Sequence, residues 1–71
     1  MDRATIKEHL AQAERHVAGG AGRITKQESL TADLDRDGHD TTEAKKVLAT
    51  LRETQVLHIE GREQILKELA Q

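Results

Sequence analysis

Asp37-Gly38-His39-Asp40-Thr41-Thr42-Glu43 is the most sharply punctuated stretch of this chain. Gly38 suits the left-handed conformation that closes a helix, because it has no Cβ to collide with the following carbonyl. Asp40 and Glu43 stand at the spacing of a capping box, in which each side chain satisfies a backbone N–H at a helix start. One helix is therefore expected to end before this stretch and another to begin within it, joined by a tight turn at residues 38–40. On both sides proline is absent and Ala, Leu, Glu, Gln, Lys and Arg dominate, a composition that favours helix. The spacing predicts helices over about residues 3–37 and 41–69, with residues 1–71 forming a single all-α domain.

Upstream of the turn, His9-Leu10-Ala11, His16-Val17-Ala18, Arg23-Ile24-Thr25 and Leu30-Thr31-Ala32 recur every seven residues. Ile6, Leu10, Ala13, Val17, Gly20, Ile24, Gln27, Thr31 and Leu34 accordingly fall at alternating steps of four and three, the seam of a helix in coiled-coil packing. Gly19, Gly20 and Gly22 oppose a continuous helix, each costing about 1 kcal/mol relative to alanine. A loop has no need to keep heptad phase, however, so one long first helix bent at these glycines is favoured over a three-helix bundle.

Downstream, Ala44, Val47, Leu48, Leu51, Ile59, Ile65, Leu66 and Leu69 form a broad apolar face, with Val56 and Leu57 off it. A hairpin alone covers one narrow stripe, whereas a wide apolar arc calls for two neighbouring helices. Pairing of two hairpins into a four-helix bundle, a homodimer, supplies them. A turn centred near residue 38.5 would set the glycines opposite Val56, Leu57 and His58.

Composition narrows the function classes. A chain of 71 residues buries a small core and gains most from oligomerisation, because without cysteine it has neither disulfides nor thiolate metal sites. There is no aromatic residue to stack on a base, and the formal charge is −2. Nucleic-acid binding is thus disfavoured; the form left open is a hairpin dimer binding RNA through a basic stripe. No apolar run reaches the roughly 20 residues that span a bilayer, and no signal-peptide pattern opens the chain, so a cytoplasmic protein is expected.

Asp33-Leu34-Asp35-Arg36-Asp37-Gly38 repeats the first half of an EF-hand loop, which makes Asp33, Asp35 and Asp37 calcium candidates. The second half fails, with Ala44 where the bidentate glutamate belongs, and a solvated helix end is the preferred reading. His9, His16, His39 and His58 include no pair at metal-binding helical spacing. His58 falls on the apolar arc, so dimer stability is expected to change between about pH 5 and 7.5 in the wild type and not in His58→Gln. Ser29 is the only serine, and no nucleophilic triad or phosphate loop is present. The expectation is a non-enzymatic interaction or regulatory module without a cofactor. Its core and contact residues would be Ile6, Leu10, Val17, Ile24, Leu34, Val47, Leu48, Leu51, His58, Ile59, Ile65, Leu66 and Leu69.

Across Glu8-His9-Leu10-Ala11-Gln12-Ala13-Glu14-Arg15-His16-Val17-Ala18 and Asp37-Gly38-His39-Asp40-Thr41-Thr42-Glu43-Ala44, the chain resembles a group of short, uncharacterised bacterial helical-hairpin proteins. The resemblance implies an all-helical hairpin and carries no activity. The glycines at 19, 20 and 22 depart from that group, whose first helix is richer in polar helix formers. In shape alone the expected dimer is also similar to the RNA-binding Rop regulators. Here, however, Arg15, Arg23, Lys26, Lys45, Lys46, Arg52 and Arg62 are interleaved with acids.

Overall fold

The computed structural model describes residues 2–71 and contains two helices, α1 (Arg3–Arg36) and α2 (Thr42–Ala70), packed antiparallel along their lengths. The fold is an all-α helical hairpin. It is a rod of 54 × 14 × 13 Å. A helix of α1's length rises about 51 Å, so α1 runs essentially the whole rod. Gly19, Gly20 and Gly22 lie inside it, and Gly38 is the one glycine with positive φ among the described residues. The three-helix alternative is thereby excluded: the heptad phase kept across the glycines is the phase of an unbroken helix.

The ends follow from local chemistry. Asp2 caps α1, its carboxylate accepting from the Thr5 N–H at 2.8 Å. At the other end Gly38 takes φ 80°, with the Gly38 N–H donating to the Asp35 carbonyl and the His39 N–H to the Leu34 carbonyl. That is the Schellman arrangement anticipated from Gly38. The capping box is corrected. Asp40 accepts from the Thr42 N–H at 2.9 Å and its hydroxyl at 2.7 Å, while Glu43 turns to Lys46 at 3.4 Å. Thr41 is the N-cap residue of α2 and makes no side-chain capping bond, so the reciprocal bond expected of Glu43 is replaced by a local turn around Asp40.

Every predicted α1 seam residue is shielded: Gly20 and Thr31 are buried, and Ile6, Leu10, Ala13, Val17, Ile24, Gln27 and Leu34 are half-buried. The matching seam of α2 is Thr41, Ala44, Leu48, Leu51, Gln55, His58, Arg62, Ile65 and Leu69, again in steps of three and four. Only Leu48, at 8% exposure, is a buried hydrophobic residue among those described. Val47, Ile59 and Leu66 stay on the flanks of the hairpin at 47%, 38% and 40% exposure, because a single partner helix covers only the stripe that faces it.

Candidate functional site

Three side chains cross the seam to carbonyls of the other helix. Arg3 donates to Leu69 at 3.0 Å, Gln55 to Val17 at 2.8 Å, and Gln27 to Ala44 at 3.1 Å. Gln27 also presents its own carbonyl to the Thr31 hydroxyl at 2.7 Å, which satisfies that buried oxygen. Placed at the open end, the middle and the turn-side half, these bonds specify one register, since sliding one helix along the other would break all three.

The middle of the seam is polar and built around Gly20. A Cβ there would overlap Gln55 Oε1 and stand 2.9 Å from its Cδ and 3.4 Å from His58 Nδ1. The missing side chain thus gives the Gln55 amide room to reach Val17. Of the partners expected for the glycines, His58 does face Gly20, together with Gln55, whereas Val56 and Leu57 are 54% and 65% exposed. Seam steps of three and four turn residues 55 and 58 inward and leave 56 and 57 outside.

The seam residues occupy heptad positions a and d, so e and b positions form one flank of the hairpin and g and c positions the other. Glu28 and Arg52, both at e, meet at 3.0 Å across the first flank. On the second flank lies an open cleft of about 390 Å³ lined by His9, Gln12, Ala13, His16 and Ile65. His16 and His58 approach with ring centroids 5.5 Å apart at its edge. His16 thus meets a second imidazole, His58, only through the fold, while His9 lies a heptad away along the same cleft.

Among the described residues no three His, Cys, Asp or Glu side chains are grouped to hold a metal ion. The calcium candidates lie where α1 ends. Asp33 Oδ1 is 2.9 Å and Asp37 Oδ1 3.8 Å from the Arg36 guanidinium, and Asp35 is exposed on the helix. Helical backbone through Asp33 and Asp35 is not the encircling loop that brings alternate carboxylates to one cation. Two other carboxyls titrate low: the Thr5 backbone N–H, helped by its hydroxyl, lowers Asp2, and those of Thr42 lower Asp40.

The large exposed apolar side chains divide between the flanks. Val56, Ile59 and Leu66 lie on the e/b side, and Leu30, Val47 and Leu57 on the g/c side. Sequence reasoning singled out His58, Ile59, Val47 and Leu66 but missed Gln55 and Arg62 as seam residues, although continuing the steps from Leu48 and Leu51 would have found both. No helix of the described residues is long and apolar enough to cross a membrane. Comparison with protein-family models, with curated proteins and with solved structures gave no match.

Proposed function

We propose that this chain is a small non-enzymatic interaction and regulatory module of the cytoplasm, a helical hairpin that assembles with a second copy and recruits another protein through its exposed side chains. One observation carries the reading: among the described residues six large apolar side chains are 38–65% exposed, against one buried hydrophobic residue. Apolar surface left in water at this ratio is surface awaiting a partner. Against RNA binding stand the formal charge of −2 and the absence of any aromatic residue, with Arg36, Lys46, Arg52 and Arg62 each within 4 Å of a carboxylate.

The test is capture by the immobilised full chain from an extract of its own cells, compared with capture by Leu30→Glu/Val47→Glu/Leu57→Glu. The reading predicts a defined polypeptide that the wild type retains and the triple variant loses. The same set of proteins retained by both would overturn it.

A further inference from the structure

We infer that His16 and His58, one ligand from each helix, form a two-imidazole site for a divalent late first-row transition metal such as zinc at the edge of the histidine cleft. The site is independent of the interaction reading above, and neither stands or falls with the other.

The pair is assembled across the seam. His16 stands at a g position of α1 and is exposed, while His58 stands at the neighbouring d position of α2 and is half-buried. Their ring centroids are 5.5 Å apart and the rings are tilted by 36°. With Zn–N distances of about 2.0–2.1 Å and a tetrahedral angle, two imidazoles on one ion hold their centroids roughly 5 Å apart. The rings therefore need only a small adjustment, which the exposed His16 can make.

The polar middle of the seam fixes which nitrogen of His58 is the ligand. Gln55 Nε2 donates to the Val17 carbonyl at 2.8 Å, so the amide oxygen is the atom left to face His58 Nδ1, at 3.4 Å. An amide oxygen only accepts; Nδ1 thus carries the proton and Nε2 the lone pair. A metal-bound imidazole is held in the same way, its other N–H given to an oxygen that fixes tautomer and ring direction. Gly20 makes room for that amide, since a Cβ there would overlap Gln55 Oε1.

The surroundings set the class of ion. Among the described residues no carboxylate or further imidazole joins the pair in a group of three, so water completes the coordination. Imidazole suits zinc, copper and nickel, whereas calcium and magnesium take oxygen ligands. The Arg23 guanidinium lies over Gly19, one turn from His16, and opposes a dication. Arg62, one turn after His58, turns to Glu63 instead. With two protein ligands and one opposing charge, a micromolar rather than a nanomolar dissociation constant is expected.

The experiment is calorimetric titration of the full chain with zinc chloride at about pH 7.5, where imidazole is neutral, together with nitrogen-15 spectra of the imidazoles. The expected result is one zinc per chain, with binding retained in His9→Gln and lost in His16→Gln and in His58→Gln. His16 is exposed, so His16→Gln decides the matter should His58→Gln disturb the seam. Gly20→Ala is expected to weaken binding by about tenfold or more, as the loss of an orienting partner does. The zinc-free chain should show His58 protonated on Nδ1. A wild type that takes up no zinc, binding that persists unchanged in His16→Gln, or binding lost in His9→Gln overturns the site. A His58 protonated on Nε2, or unchanged affinity in Gly20→Ala, overturns the orienting role of Gln55.

Discussion

Gly20 has no room for a methyl group, because the Gln55 amide occupies that space on its way to the Val17 carbonyl. Gly22 and Gly61 have nothing within 4 Å of an added Cβ. Replacing either of these by alanine should raise stability by roughly 0.5–1 kcal/mol through helix propensity alone. Gly20→Ala makes the same gain but displaces a part-buried hydrogen bond worth about 0.5–1.5 kcal/mol, so its net change should be near zero or unfavourable. Chemical denaturation followed at 222 nm separates these cases. Adding Gln55→Ala to Gly20→Ala should then cost little, whereas Gln55→Ala alone should destabilise. The caps make a pH prediction. Asp2 and Asp40 ionise below their ordinary value of 3.8, so their contribution is complete above that pH and is lost as acid protonates them in the folded state. Asp2→Asn/Asp40→Asn, which keeps capping oxygens but cannot titrate, should show a shallower loss of helix content below that value.

At the scale of the elements, most of α1 was legible from seven-residue repetition, down to Gly20, Gln27 and Thr31 as inward positions with no apolar side chain. The turn was legible from Gly38, and Gly38→Ala should cost about 1–2 kcal/mol for forcing a Cβ into φ 80°. α2 was read less well. Tracing apolar residues alone draws Val47, Ile59 and Leu66 into one arc with Leu48 and Leu51, whereas the seam continues through the polar Gln55, His58 and Arg62. Gln55 finds a carbonyl there and His58 the His16 ring, while Arg62 reaches Glu63 at 2.9 Å through its terminal nitrogen and leaves its Nε buried without a partner. The cleft of His9 and His16 was legible only as a spacing, since its far wall, Ile65, depends on a cross-helix register that one helix's pattern does not contain. Leu48→Ala should cost about 2–5 kcal/mol as the deletion of a buried side chain. Leu57→Ala, at 65% exposure, should change the stability of the isolated chain by no more than about 0.5 kcal/mol.

As a whole molecule the hairpin is a thin rod, 54 Å long and 14 × 13 Å across, and no side chain among those described is completely withdrawn from solvent. Its ion pairs are exposed and contribute little individually. A body this thin draws little stabilisation from a dry core, and the proposed second copy would add to it by covering apolar side chains that the hairpin leaves in water. On the proposed assembly with a second copy, folding and association are linked. Thermal unfolding by circular dichroism over about a hundredfold range of protein concentration tests it most directly. Linked folding predicts a Tm that rises steadily with concentration, because unfolding then releases two chains from one assembly. A Tm that stays constant across the range would mean that the hairpin stands on its own seam and would contradict the claim.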